Sequence, residues 1–173
     1  MIRKAAMEDA DLIEEAYNEH FQYEQDNTAF TVFKKGVYPT KADAEKAIKA
    51  GAMYVYEESE SIAGSMILDK TQPEEYSDIV WKSGFSEDQV MVIHLLMVRP
   101  GMSNRGIASS LIRFAIAFAR NNHSKALRLD TGSQNIPAVS LYQKHGFEII
   151  AKAPKKVGNV IAHKNHLYLE KKL

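Results

Sequence analysis

Arg99-Pro100-Gly101-Met102-Ser103-Asn104-Arg105-Gly106-Ile107-Ala108 is the stretch on which the reading of this chain turns. An apolar run, Met91 to Val98, precedes it and predicts a buried strand. After it Ile107, Leu111, Phe114, Ala115 and Phe118 recur at helical spacing. A strand therefore ends, a small-residue turn follows, and a long amphipathic helix begins. Such a helix start leaves backbone N–H groups without intrahelical partners, and the helix dipole adds partial positive charge there. Gly106 and Ala108 lack bulk, so a ligand can approach the backbone, and Arg105 adds a full charge. The physical reading is an anion pocket suited to phosphate or pyrophosphate. The plainer alternative is an ordinary helix start with a glycine in its turn.

Composition narrows the classes. The chain has 173 residues, enough for one domain with a sizeable core, and the expectation is a single domain over residues 1–173. Hydrophobic residues make up 45% and charged residues 25%, the balance of a soluble globular protein. With 22 basic and 22 acidic residues the formal charge is zero, which argues against a nucleic-acid partner. There is no cysteine, so disulfides, thiolate metal sites and a cysteine nucleophile are excluded. That usage agrees with a reducing cytoplasm, the expected location. Met1-Ile2-Arg3-Lys4 runs into acidic residues and not into an apolar signal segment, and no apolar run is long enough to span a membrane.

Two familiar phosphate loops fail at the central stretch. Gly101 and Gly106 satisfy the first half of a nucleoside-triphosphate loop, but Ile107 and Ala108 stand where Lys and Ser/Thr are needed. The dinucleotide pattern Gly-x-Gly-x-x-Gly is absent. A second run lies downstream: Asn135-Ile136-Pro137-Ala138-Val139-Ser140-Leu141-Tyr142-Gln143-Lys144-His145-Gly146-Phe147. Pro137 fits a first helical turn, His145 a last turn, and Gly146 the left-handed stop after it. Taken together, Val98-Arg99-Pro100, Ser103 to Ala108 and this second run resemble the GNAT family of N-acetyltransferases. Its pyrophosphate loop reads Gln/Arg-x-x-Gly-x-Gly/Ala after a strand ending Val-x-Pro. Its second signature is Asn, then Pro-Ala, then Leu-Tyr, then Gly-Phe, and every position of it is filled here. Ser103 departs from the usual Gln or Arg, which removes some side-chain grip on the phosphates.

The resemblance implies a mixed α/β fold: a mostly antiparallel twisted sheet with a parallel strand-helix-strand crossover at its centre. It implies acetyl-CoA as acyl donor, no metal, and a primary amine of a small molecule or peptide as acceptor, attacked directly. Cofactor binding is expected at Ser103, Asn104, Arg105, Gly106, Ile107, Ala108 and Ser109 for the diphosphate. Leu96, Met97 and Val98 would pair with the pantetheine arm, a backbone N–H near Met97 polarising the thioester. This needs the central strand to splay from the next one, Ala126 to Asp130.

Tyr142 is the candidate general acid, since a phenol with a reference pKa near 10 stays protonated at neutral pH; a core tyrosine fits the same position. Asn135 either bonds the pantetheine or holds a turn. His94, placed by strand alternation on the face of Leu96 and Val98, is the candidate base, against a hydrogen-bonded core histidine; Glu87, Asp88 and Glu24 are substitutes. Ser109 and Ser110 have no His-Asp partner nearby for nucleophilic work. His163 and His166 are expected as surface strand residues and not a metal pair.

The rest of the chain supplies the frame. The pattern predicts a strand at Ile2 to Ala5, then a helix opening at Met7 with Leu12, Ile13, Ala16 and Tyr17 on its apolar face. Gln22 to Val37 is undecided, its aromatics serving either the core or a substrate wall. Thr40 reads as an N-cap for a helix to Ala50, stopped by Gly51. A hairpin of Ala52 to Glu57 and Ile62 to Leu68 turns at Glu58 to Ser61. Asp69 to Gln89 reads as a solvated acidic insertion, part of which packs down through Trp81 and Phe85; the alternative is an acidic wall that attracts a cationic amine. Lys155 to Asn159 is expected as a basic turn between strands Phe147–Ala153 and Val160–Leu169. Two other functions stay open: an acyl-CoA sensor without catalysis, and transfer of a different acyl group. The acceptor's identity and the oligomeric state, a homodimer included, are not set by the sequence.

Overall fold

The computed structural model describes residues 1–59 and 61–173. Seven strands form one sheet: β1 (Ile2–Lys4), β2 (Met53–Glu58), β3 (Ser61–Asp69), β4 (Val90–Val98), β5 (Ala126–Gly132), β6 (Glu148–Val157) and β7 (Ile161–Lys172). Their order is β1-β2-β3-β4-β5-β7-β6, antiparallel throughout except for the central β4–β5 pair. Among the described residues four α-helices complete the fold: α1 (Ala10–Asp26), α2 (Lys41–Lys49), α3 (Ile107–Asn121) and α4 (Ile136–Lys144). The mixed sheet with its single parallel crossover is the architecture expected from the sequence.

Strand alternation sorts the side chains onto two faces. On one, Leu111, Ile112 and Ala115 of α3 pack on Met91 and Ile93 of β4 and on Leu127 and Leu129 of β5. On the other, Ile13 and Tyr17 of α1 and Ala44 and Ile48 of α2 pack on Val55, Ile62 and Met97. Each fully buried aliphatic side chain contributes about 1.5–3 kcal/mol, so this layering dominates the stability. The α2 signals read as expected: Thr40 accepts from the Asp43 N–H while the Asp43 carboxylate accepts from the Thr40 N–H. Gly51 follows in the left-handed region at φ 67°.

Several expectations change. The first turn, Met7–Asp9, is a 3-10 helix, and α1 then continues to Asp26, beyond the stretch where the pattern was clear. Lys155 and Lys156 belong to β6, and the turn itself is Gly158 to Val160. Lys155 keeps its place in the strand because its ammonium is buried against Glu75 and Asp130. The stretch from Asp69 to Gln89 is not simply solvated. Tyr76 and Ile79 bury against Val92 and Tyr168, and the Arg128 guanidinium lies 4.2 Å from the Trp81 ring. Ser83 donates both its N–H and its hydroxyl to Glu170, which also pairs with Arg128. The segment thus forms a wall over the β5–β7 half of the face that α1 and α2 leave uncovered. Part of the turn expected at Glu58 to Ser61 falls on Glu60, outside the described residues. No helix among the described residues is long and apolar enough to cross a membrane.

The feature that positions the site is a bulge in β4. Ser65 pairs with Met97 and Ile67 with His94, so one residue of β3 opposes Leu95 and Leu96. Leu95 takes up the extra residue at φ 48°, a strained conformation for leucine that costs on the order of 1 kcal/mol. Parallel pairing with β5 ends at Val92–Arg128, although β4 runs on to Val98 and β5 to Gly132. Beyond Val92 the two strands splay, leaving a gap in the middle of the sheet.

Candidate active site

The loop after β4 is fixed from below. Buried Arg99 donates to the Ile62 carbonyl at 2.7 Å and to Glu15 and Glu19 of α1 at 2.8 and 2.5 Å. From that anchor the chain turns through Asn104 (φ 62°) and Gly106 (φ 78°) into α3. Ser110 N–H is the first to bond back, to the Gly106 carbonyl. Among the described residues nothing accepts from the N–H groups of Ile107, Ala108 and Ser109, and no side chain caps the helix. A Cβ placed on Gly106 would meet no atom within 4 Å, so the space before these donors is open. A diphosphate fits this cradle by charge and by room. Ser103, Asn104 and Arg105 are exposed on its rim. Arg105 is not free: its guanidinium lies 2.9 Å from Glu58 and donates to the Met102 sulfur. The full positive charge expected there is shared with a carboxylate of β2. The Ser109 hydroxyl lies 3.0 Å from His145 Nε2, tying the end of α4 to the start of α3.

At the splay, the free peptide edge of β4 is set by alternation. Arg99 N–H donates to Ala63 of β3, and the Met97 carbonyl faces Gly64 of β3. Met97 therefore directs its peptide edge away from the gap. Leu96 and Val98 direct theirs towards it. The bulge also corrects the side-chain assignment. Leu96 and Val98 pack on the α3 side, whereas His94 keeps the face of Val92, opposite α3.

A cavity of about 450 Å³ opens through the splay from one face of the sheet to the other. On the α4 side its wall includes Tyr142 and Asn135. Tyr142 is 7% exposed, edge-on to Phe147, and nothing among the described residues hydrogen-bonds its hydroxyl. Burial, and then the charge of Asp130, hold its phenol well above the usual range. Asn135 uses its side-chain oxygen to cap α4 at Ala138 N–H, which leaves its amide N–H donors for the cavity.

On the opposite face the wall holds His94 and Asp69, with His94 Nε2 3.2 Å from Asp69 Oδ1. Burial pushes the Asp69 carboxyl up, but His94 and the Thr71 N–H outweigh it and leave it below the usual carboxylate range. The other expected bases lie elsewhere. Glu87 and Asp88 form an exposed turn before β4, at the far end from the splay, and do not line the cavity. Glu24 is taken up by the N–H groups of Phe30 and Thr31 and by the Thr31 hydroxyl.

Sequence reasoning missed a third group. Asp130 accepts from the Tyr76 hydroxyl at 2.8 Å and lies 3.6 Å from Lys155 and 3.4 Å from His166. His166 is 4% exposed and lines the cavity, against the expectation of a surface residue. Its Nδ1 is 2.7 Å from that of His163. Burial lowers its pKa to about 4; His163 and Lys155 act the same way, and Asp130 opposes them. Alternation held the signal: Arg128 and Asp130 alternate with Leu127 and Leu129, and His166, Tyr168 and Glu170 with Leu167 and Leu169. Among the described residues no group of three or more His, Cys, Asp or Glu side chains is placed to hold a metal.

Comparison with known proteins gives this geometry a family. Over 71 residues the chain is 34% identical to an uncharacterized N-acetyltransferase of Methanocaldococcus jannaschii, covering 41% of this chain and 31% of that protein. Over 113 residues it is 26% identical to the uncharacterized N-acetyltransferase YvbK of Bacillus subtilis, covering 65% of this chain and 63% of the other. The chain thus matches less than two thirds of the length of either relative. In fold, the whole chain superposes on 93% of yncA from Salmonella typhimurium, solved with its cofactor acetyl-CoA, at 17% identity and a TM-score of 0.72. Residues 11–147 match the model of the Acetyltransferase (GNAT) family, and to that family the chain belongs.

Proposed function

We propose that residues 1–173 work as one domain that transfers the acetyl group of acetyl-CoA to a primary amine of a small molecule or peptide by direct attack. The observation that carries this reading is the splay. It sets a free strand edge, which runs on into the anion cradle, against a buried polar wall, with a phenol at the passage.

The chain's residues fit the cofactor. The N–H groups of Ile107, Ala108 and Ser109 would hold the diphosphate in the open space before Gly106. The peptide edges of Leu96 and Val98 would pair with the amides of the pantetheine arm, helped by the Asn135 side-chain amide. When bound, acetyl-CoA supplies an activated acetyl carbonyl and a thiolate leaving group. Tyr142 keeps a proton on its hydroxyl, because burial raises its pKa, and would deliver it to the departing sulfur. On the opposite wall Asp69 accepts from His94 Nε2–H. That bond fixes the tautomer and leaves the Nδ1 lone pair to take the amine's proton. An N–H at the bulge, from Leu95 or Leu96, is the donor best placed for the carbonyl oxygen, because Met97 faces β3.

The test is release of free CoA measured with a panel of primary amines. Turnover that depends on the amine is expected. Acyl-CoA binding with no turnover for any amine would replace the enzyme with a sensor domain.

A further inference from the structure

Two segments distant in sequence meet on the outer wall of the cavity. One is the stretch 31–38 after α1. Glu24 pins its start through Phe30 and Thr31, and a short ladder pins its end, with Lys34 N–H donating to the Tyr38 carbonyl and Tyr38 N–H to that of Lys34. Phe33 lies edge-on to Tyr38, ring centroids 5.7 Å apart. The other is the β6–β7 turn, with φ positive at both Gly158 and Asn159 as in a type I′ turn. It is pinned by Lys156 N–H to the Glu75 carboxylate at 2.8 Å. The two meet where the Tyr38 ring lies flush on Gly158. A Cβ built there would stand 2.3–2.7 Å from three ring carbons. Tyr38 and Gly158 both line the cavity.

We infer that Tyr38 and Gly158 form a clasp that bridges the outer wall of the cavity and narrows it, restricting the acceptor to a small, free amine and excluding an amine carried on a polypeptide. A peptide has to leave the cavity along at least one extended strand, and the way out between residues 31–38 and 156–160 is crossed by an aromatic ring on bare backbone. The cavity, about 450 Å³ and partly open to solvent, has the volume of a small-molecule site. The absence of a side chain at Gly158 is what permits the contact, and the two pinned segments hold it shut without a ligand. This inference rests on the acetyltransferase reading above.

Two measurements test it. The first is acetyl transfer to benzylamine and to a short peptide with a free N-terminal alanine. The intact protein is expected to prefer benzylamine in kcat/KM by about tenfold or more. Tyr38→Ala and Gly158→Ala, which remove or displace the ring, are expected to shrink that preference by a similar factor. Tyr38→Phe, which keeps the ring, should leave it unchanged. A wild-type preference for the peptide, or a ratio unmoved by Tyr38→Ala, overturns the inference. The second measurement is hydrogen exchange of the two segments, which needs no turnover. Residues 31–38 and 156–160 are expected to be protected in the wild type and to lose protection together in Tyr38→Ala. Independent exchange of the two segments overturns the clasp. Absence of turnover with either amine, with coupled exchange intact, counts against the acetyltransferase reading and leaves the clasp standing.

Discussion

The α3 side of the sheet and the side carrying α1, α2 and the stretch after Asp69 are put together by different means. On the α3 side the anion cradle is local: one loop, positive φ at Asn104 and Gly106, and the first N–H groups of one helix. Side chains there lie mostly on the rim. On the opposite side the contacts that tie the stretch after Asp69 to the sheet join residues far apart in sequence. Tyr76 meets Asp130, Glu75 meets Lys155, and Ser83 meets Glu170 across 54, 80 and 87 positions. A site made from backbone keeps its shape when side chains change. A site made from distant side chains depends on each of them.

The strongest attempt to break this contrast is at Arg128 and Glu170, paired at 2.9 Å with both side chains under 5% exposed. Glu170→Ala leaves a buried guanidinium unpaired and strips Ser83 of its acceptor. A loss of about 3–5 kcal/mol in urea unfolding is expected. A loss near zero would mean that the wall is not held by these contacts. Next in size is Tyr142→Phe. It should lower kcat by about a hundredfold or more while leaving acetyl-CoA affinity, read by calorimetry, nearly intact. An unchanged kcat removes the phenol from the reaction.

A smaller effect is expected from His166. Its folded pKa, about 4, lies below the ordinary 6.5, so the unfolded chain binds a proton that the native protein does not. Stability is therefore fully present above pH 6.5 and declines as pH falls towards 4, by at most about 3 kcal/mol from this group. Urea titrations at neutral and acid pH should show a shallower decline in His166→Gln; an identical slope would mean that His166 is not buried as a neutral imidazole. The smallest effect belongs to the cradle. Ser103→Ala should change acetyl-CoA affinity by no more than about twofold, because an exposed side chain on a backbone site contributes little. A large loss would show that the rim side chains hold the diphosphate after all.

The same contrast explains what could be read in advance. The loop from Arg99 to Ala108 and the run from Asn135 to Phe147 declared themselves because their chemistry is contiguous, with glycine, proline and capping residues each answering a local backbone need. Helix α2 was legible for that reason, from Thr40 and Asp43 at one end to Gly51 at the other. His94 was placed on the wrong face because one extra residue at Leu95 reverses strand alternation, and no side chain announces a bulge of that kind. Lys155 and Lys156 looked like a turn because their charges suggested solvent, yet the Lys155 ammonium is buried against Glu75 and Asp130.

The amino-acid order by itself determined the layers of the sheet, the strand-loop-helix that can cradle an anion, and the helix that carries Tyr142. The loop and the helix follow from periodicity and from residues that act on their immediate neighbours, and the sheet from the resemblance those two runs carry. Only the tertiary structure decided the splay beyond Val92, the pairing of His94 with Asp69, the buried group around Asp130, and the closing of Tyr38 on Gly158. Each of these depends on where distant segments come to rest, a property of the packed chain as a whole.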